Sequence, residues 1–339
     1  MSALEFRYVR GAIHLPALGL WLDAHRAIGA EEVVFVSHAH SDHTAAHKRV
    51  LFSSPTQKLM RARLAGRREE HALPFGRRVR LADFAPQAPD SAALTLLPAG
   101  HIFGSAMSLL EADGASLLYT GDFKLRPSLS AEPCEPRRAD TLIMETTFGR
   151  PHYVLPPQAD IFRDILGFCR TALAEGAVPV LQSYSLGKSQ EILHALTEAG
   201  LPVMLSAPVA KMTRVYAEFG RTYIGWQPLE IAQAAGHVVI CPPGAKLDEL
   251  RQQHAKVRTA VLTGWALDKG CHYRYGVEAA FPLSDHADYP DLLAFVRQVA
   301  PKRVFTLHGF ATEFATTLRG LGVEAWALGE ANQLELALG

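Results

Sequence analysis

Residues 38 to 43 of this 339-residue chain read His-Ala-His-Ser-Asp-His, placing four ligand-type side chains, His38, His40, Asp42 and His43, within six positions. Imidazole nitrogen and carboxylate oxygen are the donors that borderline and hard divalent cations take, and alternate residues of an extended segment point to one side together. Accidental histidines on a polar loop are seldom packed this way, so the segment reads as part of a metal centre. A centre with two ions needs further ligands, one of them able to bridge. His101 follows a run of strand character at Leu94 to Leu97, Asp122 follows Ser116 to Thr120, and His308 follows Arg303 to Leu307. Taken singly, His101 or His308 is an ordinary core or surface histidine. Together, all three stand at strand ends, where groups on the loops of one sheet edge converge.

The elements that must position these groups fall into two textures. Up to Met144 the chain is a succession of short β-rich runs, Glu32 to Ser37, Leu94 to Leu97, Met107 to Glu111, Ser116 to Thr120 and Thr141 to Met144, with one helical stretch at Ser54 to Ala65. Turn-forming residues bound each run, as they do buried strands. Prolines at 151, 156 and 157 mark a junction, after which helices and strands alternate. Helices are predicted over Ala159 to Glu175, Gly187 to Ala199 and Val209 to Phe219, and strands over Val178 to Gln182, Val203 to Leu205, His237 to Ile240 and Thr259 to Leu262. That alternation predicts a small sheet covered by helices. A helix at Tyr289 to Val299, the strand Arg303 to Leu307 and a helix at Ala311 to Leu321 return to the first texture. The simplest organisation is a core built from both ends of the chain around an inserted α/β unit.

Composition excludes several classes. Forty-eight per cent apolar residues supply a packed core, and four scattered cysteines, Cys134, Cys169, Cys241 and Cys271, make neither a Cys-x-x-Cys zinc knuckle nor a disulfide framework. No apolar run approaches the roughly 20 residues of a membrane span and no signal peptide is apparent, so a cytoplasmic location without membrane attachment is expected. Thirty-four basic residues balance 34 acidic ones. The exception is local: Lys58, Arg61, Arg63, Arg67, Arg68, Arg77, Arg78 and Arg80 face only Glu69 and Glu70, an excess of six charges that suits either a solvated face or a phosphate backbone.

The string from His38 to His43, the Gly-His at 100 and 101 and the Gly-Asp at 121 and 122 resemble the metallo-β-lactamase superfamily. Met-Glu-Thr-Thr-Phe-Gly at 144 to 149, Ser-Asp-His-Ala-Asp at 284 to 288, and His308 further resemble the three motifs of its β-CASP nucleases. The resemblance covers essentially the whole chain. It implies an α/β fold: a metallo-β-lactamase αββα sandwich over residues 1–150 and 276–339, with a β-CASP cap domain inserted over 151–275. Ser-Tyr-Ser-Leu-Gly-Lys-Ser-Gln-Glu at 183 to 191 and Thr-Gly-Trp-Ala at 263 to 266 are similar to bacterial DNA exonucleases associated with an ATP-dependent DNA ligase and a repair helicase.

By that resemblance, His38, His40 and His101 hold one divalent ion, Asp42, His43 and His308 hold a second, and Asp122 bridges them. Zinc is the expected metal, with manganese the alternative. Asp42, Glu145 and His286 are the implied catalytic residues, His286 as general acid and Glu145 as the carboxylate that orients it. Lys188 and Ser105 are candidate contacts for a substrate phosphate. Gly187-Lys188-Ser189 ends like a P-loop, but Gln182 stands where that motif needs glycine, so nucleotide hydrolysis is not expected. Trp265 is either a core residue or a stacking surface for a base.

The implied activity is hydrolysis of single-stranded DNA from a 5′ end during repair, leaving a 5′-phosphate. An RNA-processing nuclease shares every motif, because discrimination rests on the 2′-hydroxyl. Thiolester or lactone hydrolysis uses related metal loops but has no use for Glu145, His286 and a large insertion. A catalytically dead scaffold predicts degraded ligands, whereas the full set is present here.

Overall fold

The computed structural model describes residues 3–245 and 247–329. These divide into two compact units. One holds the residues up to Pro127, Ala131–Val154 and those from His286 onward; the other holds Ser128–Ser130 and Leu155–Asp285.

The first unit is built on two sheets. Strands β1 (Arg7–Val9), β2 (Ala12–Leu15), β3 (Leu20–Leu22), β4 (Val33–Phe35), β5 (Arg49–Ser53) and β6 (Glu69–Leu73) form one sheet in sequence order, antiparallel to β3 and parallel from there. Helix α1 (Ser54–Arg63) packs on β5 and β6. It starts at Ser53, whose hydroxyl accepts the Thr56 N–H, and has Pro55 in its first turn, where a missing N–H costs nothing. The second sheet contains β7 (Arg78–Arg80), β8 (Ala93–Pro98), β9 (Ala106–Ala112), β10 (Ala115–Tyr119) and β11 (Thr141–Glu145).

The second unit opens with helix α2 (Gln158–Ala174) and carries a six-stranded, wholly parallel sheet. Its strands are β12 (Val178–Gln182), β13 (Val203–Leu205), β14 (Trp226–Pro228), β15 (Val238–Cys241), β16 (Val257–Leu262) and β17 (Ala279–Phe281), in spatial order β14-β13-β15-β12-β16-β17. Helices α3 (Lys188–Glu198), α4 (Ala207–Ala217), α5 (Asp248–Gln253) and α6 (Cys271–Tyr275) connect them. Ile161, Ile165, Ile192, Leu193 and Val209 cover one face, and Leu250 lies on the other.

The chain then returns to the first unit with α7 (Tyr289–Val299), β18 (Arg303–Leu307), α8 (Ala311–Gly320) and β19 (Glu324–Ala327). The second sheet is thereby completed in the order β19-β18-β11-β10-β9-β8-β7. Alternation along β11 shows the layering. Ile143 joins Leu20, Phe35, Leu51, Leu94, Leu110 and Phe305 in the core between the two sheets, while Leu142 and Met144 meet Leu292, Phe295, Phe314 and Leu318 of α7 and α8. Helix, sheet, sheet and helices therefore stack as the expected αββα sandwich, with an α/β cap as the second unit.

The structure moves the expected boundaries from 150/151 and 275/276 to 154/155 and 285/286. The physical reason is β17, which pairs with β16 through Ala260↔Ala279 to Leu262↔Phe281, and Leu283, which is buried in the cap's core. The expected core segment 276–339 also includes residues 330–339, which lie outside the described residues. Among the described residues, no helix is long and apolar enough to cross a membrane.

Candidate metal centre

Three buried apolar residues of β4, Val33, Val34 and Phe35, carry the chain to Ser37 and His38, after which Ser41–His43 form one turn of 3-10 helix. That turn gathers the histidines. The ligand atoms of His38, His40 and His101 lie within 4.8 Å of one another, as do those of His38, His43 and Asp122, and those of Asp122, Glu145 and His286. One carboxylate oxygen, Asp122 Oδ2, stands 3.3 Å from His43 Nε2, 3.6 Å from His38 Nε2 and 3.9 Å from His101 Nε2. Donors about 2.1 Å from a tetrahedral cation sit roughly 3.4 Å from each other, so these spacings suit a shared ion better than a hydrogen-bond network.

The outer ring nitrogens fix which lone pairs turn inward. His38 Nδ1 meets the Ser37 hydroxyl at 2.9 Å, and that hydroxyl donates to Asp23 at 2.6 Å. His43 Nδ1 donates to the same Asp23 carboxylate at 2.9 Å, and the Tyr119 hydroxyl adds a third bond at 2.9 Å. Both imidazoles therefore present Nε2 to the centre. His38 Nε2 is fully buried without a hydrogen-bond partner, which is the condition of a ligand atom. The residues present fit a divalent cation.

Charge follows the same geometry. Burial, then the neighbouring His43, holds His38 well below the ordinary imidazole range, so it stays neutral. Burial also disfavours the charged form of His43, but Asp122 and Asp23 outweigh it and hold this imidazole well above that range. Burial pushes Asp122 upward; His43 and then His286 overcome that and keep it ionised far below the usual carboxylate range. Burial lowers His308.

Two expected ligands stand at the rim. The Asp42 carboxylate is 74% exposed, with Oδ2 3.9 Å from His43 Nε2. His308 has its ring centroid 6.0 Å from that of His43. His308 adopts φ +60°, and at Gly309 a Cβ would come within 2.4 Å of Thr147 Cα, so this corner packs directly on the chain that follows Glu145.

Glu145, the last residue of β11, is fully buried. It accepts the Phe123 N–H at 3.1 Å, the Thr147 N–H at 3.0 Å and His286 Nδ1 at 2.8 Å. That fixes Nδ1 of His286 as a donor, on a side chain 20% exposed.

The two residues expected from sequence to contact a phosphate are both buried. Ser105 is 1% exposed, and its hydroxyl accepts the Ile102 N–H at 3.2 Å. It closes the tight turn after His101, where Gly104 (φ +79°) comes so near α1 that a Cβ would meet Pro55 at 2.5 Å. Lys188 is buried at the start of α3, its Nζ 3.0 Å from Asp285 Oδ1, so its charge is committed within the cap. Much of the basic track is likewise neutralised: Arg61 and Arg68 by Glu70, Arg78 by Glu111, and Arg80 by Asp83 and Asp90.

Sequence reasoning missed Asp23 and His25. Asp23 adopts φ +47° one residue after β3, the same strand-end position that singled out Asp122. His25 bonds the Asp42 carbonyl through Nδ1 and the Gly11 carbonyl through Nε2 at 2.9 Å, tying the histidine turn to the β1–β2 hairpin.

Comparison with known proteins agrees with this chemistry. Residues 275–328 match the family described as the Zn-dependent metallo-hydrolase RNA specificity domain. A probable DNA ligase of Opitutus terrae is 56% identical over 96% of this chain and 31% of its own length. The 5′ exonuclease Apollo of Gallus gallus is 32% identical over 83% of this chain and 60% of its own, and an RNase J-like protein of Methanocaldococcus jannaschii is 27% identical over 83% and 82%. The chain thus spans about a third of the ligase and three fifths of the exonuclease. A crystal structure of a protein of unknown function from Enterococcus faecalis V583 shares the fold at TM-score 0.58 and 13% identity, covering 88% of this chain and 79% of that one.

Proposed function

Because the chain belongs to the β-CASP nucleases of the metallo-β-lactamase superfamily, we propose that it is a metal-dependent exonuclease that hydrolyses single-stranded DNA from a 5′ end in repair. The observation that carries this reading is the Glu145–His286 pair, held at 2.8 Å beside a cluster of imidazoles and one shared carboxylate. A hydrolase that cleaves an activated acyl bond needs no proton donor of this kind, whereas a departing 3′-oxygen does.

His38, His40 and His101 would hold one divalent cation and His43, Asp42 and His308 a second, with Asp122 available to both. Zinc suits the imidazole-rich donors, and the carboxylates also admit manganese. Divalent ions bound there would lower the pKa of water and offset charge on the phosphoryl oxygens. Asp23 and Ser37 hold His38 and His43 in the ligating tautomer. As water attacks phosphorus and the P–O3′ bond breaks, His286 gives the proton on Nε2 to the departing 3′-oxygen, and the phosphate stays on the 5′ side of the product. Glu145 keeps the imidazole turned and stabilises its cationic form.

The 56% identity to part of a probable DNA ligase supports a role next to strand sealing, with a ligase and a repair helicase as functional partners in the cytoplasm. A second reading, RNA processing, is favoured by the match at residues 275–328 and by the RNase J-like relative. Digestion of end-labelled DNA and RNA strands bearing 5′-phosphate, 5′-hydroxyl or blocked ends, in zinc or manganese, separates the two. Release of mononucleotides from the 5′ end of DNA is expected; no hydrolysis of any strand defeats both.

A further inference from the structure

The carboxyl edge of the cap's sheet has a distinctive topology. Strands β12 and β16 are parallel neighbours, paired from Val178↔Val257 to Gln182↔Val261. Their continuations diverge. After β12 the chain enters α3, whose Ile192 and Leu193 pack on the face that holds Leu181, Ala260 and Leu262. After β16 it enters α6, whose Cys271 packs with Val261, on the opposite face. Adjacent parallel strands whose connections leave to opposite faces open a crevice at their carboxyl ends, where α/β sheets bind ligands.

The first residues past those strand ends are Ser183-Tyr184 and Thr263-Gly264-Trp265. Tyr184 is 58% exposed, yet its backbone is pinned. Its carbonyl accepts the Ser189 hydroxyl at 2.6 Å and the Ser189 N–H at 3.3 Å, and the Ser183 and Ser189 hydroxyls bond at 2.7 Å. Gln190 ties Gly187 and Ser185 to the same helix start. Lys188 Nζ lies 5.1 Å from the Tyr184 ring centroid, within cation–π range, and is itself anchored by Asp285. Trp265 is half-buried on the other lip, outside the apolar clusters built around Leu181, Val239 and Val261.

We propose that Tyr184 is a stacking platform for one unpaired nucleobase of the strand the protein acts on, with Trp265 as the neighbouring wall. The proposal rests on the nuclease reading above. It assigns to Tyr184 a positioning role: a rigid ring with solvent-open surface offers base stacking at small conformational cost, and any base presents a π-face to it. It also gives the buried Lys188 a purpose other than phosphate contact, as the support beneath the ring.

The test measures binding of fluorescein-labelled, hydrolysis-resistant phosphorothioate DNA 12-mers to the full chain by anisotropy. Wild type, Tyr184→Ala, Tyr184→Leu and Tyr184→Phe are compared on an unmodified strand and on strands with one abasic site at each position. Tyr184→Ala and Tyr184→Leu should bind the unmodified strand about 5- to 100-fold more weakly, while Tyr184→Phe stays within about threefold. One abasic position should weaken wild type by a similar factor and leave Tyr184→Ala no weaker still. Equal binding by all variants overturns the proposal, as does an alanine defect that persists unchanged at every abasic position, which marks a structural role. If wild type cleaves strands while binding is indifferent to Tyr184, the platform fails and the nuclease stands; if wild type neither binds nor cleaves, both fail.

Discussion

Glu145 and His286, 141 residues apart in the chain, meet through a 2.8 Å hydrogen bond between a fully buried carboxylate and the Nδ1 of a partly exposed imidazole. Both also lie with Asp122 in a group whose ligand atoms are within 4.8 Å of one another, whereas His38, His40 and His101 form a group without them. The proposed mechanism assigns proton donation to His286 and metal binding to the histidine cluster, and the two assignments can be tested apart. His286→Ala should lower kcat by about 10²- to 10⁴-fold with metal content unchanged, and Glu145→Gln by a smaller factor, about 10- to 100-fold. Metal analysis alongside steady-state rates checks this; a His286→Ala protein that turns over normally removes the general acid from the mechanism.

Asp23 stands behind the ligating histidines, and its carboxylate receives Ser37, His43 and Tyr119 on the single oxygen Oδ2. Asp23→Asn replaces an acceptor with an amide and frees His43 to change tautomer. Metal affinity should fall about 10- to 100-fold, as is typical when the partner of a ligating histidine is lost. Competition with a chromophoric chelator reads this directly, and unchanged affinity would show that the tautomers are set elsewhere.

His43 keeps its proton to higher pH than an ordinary imidazole because Asp122 and Asp23 outweigh its burial. A cation at Nε2 must displace that proton. Metal binding near neutral pH should release protons and tighten as pH rises. Calorimetry in buffers of different ionisation enthalpy should give different apparent heats; identical heats contradict a protonated His43. In the metal-free fold the sign is separate: a raised folded value stabilises fully below the unfolded value near 6.5, and that contribution is lost as pH climbs through the raised one.

Lys188 and Asp285 are 3% and 2% exposed and 3.0 Å apart. Removing one partner leaves a buried charge uncompensated, so Lys188→Ala should destabilise the cap by about 3–5 kcal/mol. Thermal or urea unfolding measures it. A stable Lys188→Ala protein with a raised KM for strands would instead restore the phosphate-contact role.

How far the site could be read from sequence depended on where its parts lie. His38 to His43 crowd into one segment, so their chemistry is visible without a fold. Glu145 and His286 are unremarkable alone and became legible only through family motifs. Asp23 was hidden because a lone aspartate after a three-residue strand carries no pattern, although its hydrogen bonds organise two ligands. The burial of Lys188 and Ser105 was not legible, because residue type says nothing of burial, and in the fold each bonds a neighbour in its own unit. The cap's strands Val178–Gln182 and Val203–Leu205 were legible as fully buried apolar runs between helices. Strand Arg7–Val9 was not, being only partly buried and carrying no apolar run.

Strand β11 ends at Glu145 and lies between β10 and β18, pairing with β18 from Thr141↔Arg303 to Glu145↔Leu307. One flank of the strand that carries Glu145 is thus supplied from near the end of the chain, and His286 comes only after the cap. During synthesis the metal-binding turn and Asp122 emerge long before either. The growing polypeptide therefore holds an unpaired edge on β11 until β18 docks. Under the mechanism proposed above the site is complete only once the end of the chain has folded, so a chain truncated after Asp285, which lacks both His286 and β18, should take up metal at His38, His40 and His101 yet cleave nothing, and metal analysis paired with a nuclease assay on that fragment tests it.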